Sequence, residues 1–82
     1  MTATVLFFSV LRDLVGAESL SLTLASSKVT MGELLDTLYD DHPALRDWDS
    51  RLLLAVNAEF ATRDDLVNDG DEVALMPPVQ GG

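Results

Sequence analysis

Asp69-Gly-Asp-Glu-Val-Ala-Leu-Met-Pro-Pro-Val-Gln-Gly-Gly82 is the stretch on which the fold turns. Asp69-Gly70 is a turn signal, because glycine reaches backbone angles that a Cβ forbids. Val73 to Met76 is a short apolar run and reads as a strand covered on at least one face. Pro77 and Pro78 stop it, since proline has no amide hydrogen for a sheet ladder and favours an extended polyproline conformation. Val79 and Gln80 follow, and then two residues without side chains. Such a tip can enter a slot too narrow for side chains and present a carboxylate there. It can equally be a frayed end. Composition leaves both readings open.

Working outward, the chain has 82 residues and is 48% hydrophobic, enough for one small folded domain with a single core. No apolar run approaches the roughly 20 residues that cross a membrane. Met-Thr-Ala-Thr-Val at the start lacks the basic and apolar segments of a secretory signal, so the cytoplasm is the expected compartment. Fourteen acids against 5 basic residues give a formal charge of −9. That charge repels nucleic-acid phosphates and steers basic protein surfaces inward. Asp64, Asp65, Asp69, Asp71 and Glu72 precede the tail, so its base is expected to be strongly negative. They also read as an ordinary solvated loop.

Chemistry on side chains is scarce. With no cysteine there are no disulfides, thiolate metal sites or thiol nucleophiles. His42, the one histidine, precedes Pro43 and reads as a helix-end residue. No glycine-rich phosphate loop and no G-x-S-x-G elbow is present. No metal site is expected, and the side chains offer no evident catalyst.

Thr4 to Val10 is β-branched, aromatic and apolar on both faces, which predicts an interior strand. Leu11 to Val15 predicts a turn or short helix ended by Gly16, with Leu11, Leu14 and Val15 toward the core. Ser19 to Leu24 alternates, predicting a strand antiparallel to the first with Leu20, Leu22 and Leu24 on one face. Thr30-Met-Gly-Glu33 is a capping box, so a helix starts at Met31, buries Met31, Leu34, Leu35, Leu38 and Tyr39, and ends just before Pro43. Ala44 to Trp48 predicts a further turn anchored by Leu45 and Trp48. Arg51 to Val56 predicts a strand, turning at Asn57-Ala58-Glu59 into a short one near Phe60. Thr62 to Asn68 reads as a polar connection held by Leu66 and Val67.

The first and last strands are the two with apolar residues on both faces, so they belong side by side at the sheet centre. If parallel, they form an α+β fold of the β-grasp type: a mixed sheet against one main helix, residues 1–76, with a flexible tail at 77–82.

The chain resembles the ubiquitin-like sulfur carriers, and within them the molybdopterin synthase small subunits. VLFFSVLRDLVG, LLLAVNAEF and above all DGDEVALMPPVQGG carry the resemblance over the whole length. Leu75-Met76 departs from it, since the family often has an aromatic residue there. The resemblance implies that Gly82 is the functional residue, present as a glycyl adenylate and then as 1-thioglycine, a thiocarboxylate. It implies an adenylyltransferase similar to ubiquitin activators, ATP consumed by that enzyme, and a sulfur donor. It also implies insertion of Pro77, Pro78, Val79, Gln80 and Gly81 into a large synthase subunit, in a heterotetramer of two small and two large subunits. That subunit would catalyse sulfur transfer to cyclic pyranopterin monophosphate, and the carrier itself binds no cofactor. Three other readings compete: a protein modifier conjugated through Gly82, a carrier for thiamin thiazole synthesis, and an acidic interaction domain with an idle tail.

Adjacent strand residues face opposite ways, so only one of Phe7 and Phe8 packs beneath the helix. Phe8, Phe60 and Met76 are therefore expected to form an apolar patch on the other face that docks the partner. The competing expectation is that all three are ordinary core.

Overall fold

The computed structural model describes residues 1–78. In chain order its elements are β1 (Thr2–Phe7), α1 (Val10–Val15), β2 (Ser19–Thr23), β3 (Lys28–Thr30) and α2 (Met31–Asp41). A 3-10 segment, Pro43–Arg51, leads into β4 (Leu53–Val56), β5 (Glu59–Ala61), β6 (Leu66–Asn68) and β7 (Glu72–Met76). Five strands form one sheet in the order β2-β1-β7-β4-β5, while β3 and β6 make a separate antiparallel pair. β1 and β7 are parallel and central, with Val5 opposite Val73 and Phe7 opposite Leu75. β2 and β4 flank them antiparallel. This is the β-grasp arrangement.

Strand alternation supplies the core. Ala3, Val5 and Phe7 of β1 and Val73 and Leu75 of β7 are buried in the main cluster. They meet Met31, Leu34, Leu35, Leu38 and Tyr39, the apolar stripe of α2. Each leucine so buried contributes roughly 1.5–3 kcal/mol relative to exposure.

The start of α2 leaves no amide stranded. Met31 N–H donates to the Asp65 carbonyl (2.8 Å) and Gly32 N–H to the Arg63 carbonyl (2.9 Å). Glu33 N–H donates to Thr30 Oγ1 (3.2 Å), and Glu33 Oε1 accepts from Thr30 N–H (3.0 Å), completing the capping box. These bonds satisfy the donors that a helix cannot satisfy itself. They also give the connection after β5 a definite task, which is to close the helix end.

Several boundaries differ from expectation. β1 ends at Phe7 rather than Val10, because Ser9 turns sharply (φ 55°, ψ −130°) and Val10 already opens α1. Gly16 ends α1 in the left-handed conformation as expected, yet Leu14 is exposed. β4 starts at Leu53, since 3-10 turns continue through Arg51. The β3–β6 pair was not anticipated. Its three-residue strands are too short to display alternation, and only their meeting, Val29 opposite Val67, buries both valines.

A polar cluster holds the long 3-10 segment in place. Tyr39 Oη donates to the Asp49 carboxylate, which also receives the Arg63 guanidinium. The Arg51 guanidinium lies 4.4 Å from the centre of the Trp48 ring, and Leu45 is fully buried. Burial opposes ionisation of Asp49, but hydrogen bonds from Arg63 and Tyr39 outweigh it and hold the carboxyl below its usual range. Burial, reinforced by the Asp49 carboxylate, pushes the Tyr39 hydroxyl up.

Two outcomes follow from these contacts. Thr30→Ala removes the cap and is expected to lower stability by about 1 kcal/mol, read as a shift in urea midpoint. A carboxyl whose folded pKa is depressed stabilises fully above its unfolded value and loses that contribution as pH falls through the folded one. Wild-type stability should therefore drop below pH 3.8, the ordinary value for this group. Asp49→Asn should be weaker at neutral pH and show a shallower acid decline. Parallel pH profiles for the two proteins would contradict the cluster's role.

Candidate functional site

The half of the alternation that points away from α2 makes the other face of the sheet. Register places Leu6, Ala74, Ala55 and Phe60 in one row across β1, β7, β4 and β5. The two alanines in the middle of that row are short and their neighbours are long, so the row dips. The dip is a groove of about 280 Å³. Phe8 and Met76 lie toward the end where β7 finishes, while Ala58 and Glu72 line it toward the end where β7 begins.

Phe7 and Phe8 part as expected: Phe7 is 2% exposed beneath the helix, whereas Phe8 is 45% exposed. Phe8 N–H donates to the Leu75 carbonyl (3.3 Å), which brings it alongside the end of β7. Phe60, on the outermost strand, is 80% exposed. Phe8, Phe60 and Met76 therefore line one groove, and for these three the ordinary-core expectation does not hold. Ala55 is buried under this face without belonging to the main core cluster. An exposed apolar concavity of this kind is the usual mark of a protein contact.

The tail starts at the groove. Met76 lines it and ends β7, and half-buried Pro77 and Pro78 follow. Val79, Gln80, Gly81 and Gly82 lie outside the described residues.

Three of the five acids expected at the tail's base sit at the opposite end of β7. Glu72 opens β7, roughly 13 Å from Met76 at about 3.3 Å per residue, and Asp69 and Asp71 come before it. There Asp69 and Asp71 hold backbone and side-chain amides. Asp69 accepts from Thr2 N–H (2.8 Å), and Asp71 accepts from Asn68 N–H (2.8 Å) and Asn57 Nδ2 (3.0 Å). Among the described residues, no three His, Cys, Asp or Glu side chains gather as metal ligands.

Leu6, Ala55, Ala58 and Ala74 were missing from the expected site. Their role depends on strand register, and nothing local in the chain marks an alanine as the floor of a groove.

Comparison with known proteins agrees with this fold. The ThiS family pattern matches residues 5–82, a span that includes the final two glycines. The molybdopterin synthase sulfur carrier subunit of Escherichia coli is 38% identical over 95% of this chain and 96% of its own. That of Arabidopsis thaliana is 37% identical over 95% of this chain and 80% of its own. In three dimensions the chain is similar to the crystal structure of SAMP1, a small archaeal modifier protein of Haloferax volcanii. That protein is 30% identical over the full length of both chains, with a TM-score of 0.86. The chain thus belongs to the ThiS family, among the molybdopterin synthase sulfur carrier subunits.

Proposed function

We propose that this chain carries sulfur on its C-terminus for molybdopterin synthesis. The observation that supports this best is the continuity of groove and tail. The strand that lines the groove with Met76 runs directly into Pro77-Pro78 and the Gly-Gly end, within a family match that extends to residue 82. A domain of residues 1–76 then presents a tail of residues 77–82.

The chemistry follows from the weakness of a carboxylate as an acyl donor. The Gly82 carboxylate attacks the α-phosphate of ATP on an adenylyltransferase, releasing pyrophosphate and leaving a glycyl adenylate. A sulfur donor displaces AMP to give the thiocarboxylate. The groove docks against a large synthase subunit, and Pro77 to Gly81 thread the thiocarboxylate into that subunit's active site, where exclusion of water limits hydrolysis. Transfer to cyclic pyranopterin monophosphate takes place there, so this chain donates sulfur without catalysing the transfer. Two small and two large subunits make the assembly, and it works in the cytoplasm. The polyproline stiffness of Pro77-Pro78 reduces the conformational freedom lost on threading.

A second reading has its own support, since the chain shares its full length and fold with a small archaeal modifier protein. A modifier would join Gly82 to lysines of other proteins by the same adenylate. Isopeptide adducts on cellular proteins, absent when Gly82 is removed, would favour it.

Three variants test the main reading. Phe8→Asp is expected to keep the isolated fold, because Phe8 is outside the core, and to abolish complex formation with the large subunit in size-exclusion chromatography. Unfolding of the isolated variant would refute the assignment of Phe8 to the docking face. Gly81→Val adds a branched side chain and restricts the backbone, so sulfur transfer should fall sharply with little change in melting temperature. An alanine added after Gly82 moves the carboxylate by up to roughly 3.5 Å. Misplacement of about 1 Å already costs on the order of a hundredfold in a positioned reaction. The extended protein should bind the large subunit and form no molybdopterin. Normal product from it, with mass showing the extra residue intact, would overturn the sulfur-carrier reading.

A further inference from the structure

Among the described residues, three that are not glycine have a positive φ: Ser9 at 55°, Asn57 at 50° and Ala58 at 71°. All three border the groove. Ser9 immediately follows Phe8, and Asn57-Ala58 is the turn joining β4 to β5, with Ala58 lining the groove itself.

These conformations are unfavourable for residues with a Cβ, which crowds the neighbouring backbone. Asparagine tolerates the left-handed region, but alanine has no polar side chain to compensate. A two-residue turn with φ positive at both positions prefers Asn-Gly, so Ala58 occupies a place suited to glycine. Ser9 at φ 55°, ψ −130° lies in a region that glycine alone enters readily, and its side chain makes no capping hydrogen bond with α1.

Such strain persists only where the surroundings impose it. At Ala58 they do. Asn57 N–H donates to the Glu72 carbonyl (2.8 Å), Glu72 N–H donates to Asn57 Oδ1 (3.0 Å), and Asn57 Nδ2 donates to Asp71 (3.0 Å). The turn is thereby tied to the start of β7. At Ser9, Phe8 N–H is held by the Leu75 carbonyl, while the Phe8 carbonyl accepts from Leu11 N–H (3.1 Å). Phe8 is gripped on both sides of the kink.

We propose that Ser9 and Ala58 are positioning residues that hold the two ends of the groove in docking-ready shape at the expense of fold stability. This rests on the docking role proposed above. The occupant is an apolar surface of the large synthase subunit. A protein that receives the tail at Pro77 meets the groove at Met76, the preceding residue, with no intervening chain. Ala58 supplies a methyl contact at one end, and Ser9 fixes the direction of Phe8 at the other.

The test pairs melting temperature with affinity for the purified large subunit, measured by calorimetry on full-length protein. Ala58→Gly is expected to raise the melting temperature by about 2–5 °C, as strain is relieved in a domain of this size. It should weaken the complex roughly threefold to tenfold, the equivalent of about one lost methyl contact plus a looser turn. Ser9→Gly removes no groove side chain and is expected to shift both quantities in the same directions. A purely structural role would leave affinity unchanged while stability rose, and that result would overturn the proposal. So would a melting temperature that does not rise in either variant. If wild-type protein itself fails to bind the large subunit, the docking reading falls and this inference with it.

Discussion

The parallel pairing of β1 with β7 is the constraint on which the rest depends. It joins strands separated by nearly the whole chain, so every element between them must be accommodated around it. Val5 opposite Val73 and Phe7 opposite Leu75 direct four apolar side chains beneath α2. The same register sends Leu6 and Ala74 to the opposite face, where they form part of the groove. A slip of one residue would exchange the faces, expose the core side chains and bury Glu72. Core and groove are therefore two consequences of one register.

That coupling explains how so small a chain presents a sizeable apolar concavity without unfolding around it. α2 covers one face and is closed at its start by Thr30, Glu33 and the carbonyls of Arg63 and Asp65. The Tyr39–Asp49–Arg63 cluster then ties α2, the 3-10 segment and the chain after β5 together away from the groove. Stabilising contacts thus gather around α2, while strained backbone gathers at the groove. Backbone strain of this kind commonly clusters at functional surfaces. The acids follow a similar logic. Asp69 and Asp71 satisfy backbone amides at the far end of β7, leaving the apolar end of the strand to lead into the tail.

Elements whose signals are local are legible in the linear chain. The T-x-x-E box predicted the start of α2 to the residue, Pro43 predicted its end, and Gly16 predicted the stop after α1. Strand patterns in the first and last segments were long enough to imply a central pair, and DGDEVALMPPVQGG was specific enough to indicate the family. Alternation also separated Phe7 from Phe8. These features depend on neighbours a few residues apart, so a linear reading contains them.

Which residues from distant strands share a surface depends on the folded arrangement. Ala55, Ala58 and Ala74 look unremarkable in the chain, and they become a groove floor and wall only when β4, β5 and β7 come into register. The β3–β6 pair was invisible for the same reason, since three residues show no period until Val29 meets Val67. The end of β1 at Phe7 is set by the Ser9 kink, which the contacts of Phe8 with Leu75 and Leu11 enforce against local preference. Short-range chemistry writes caps, breaks and periodicity into the chain. Register, concavity and strain are relations between segments far apart, and they exist only once the fold has brought those segments together.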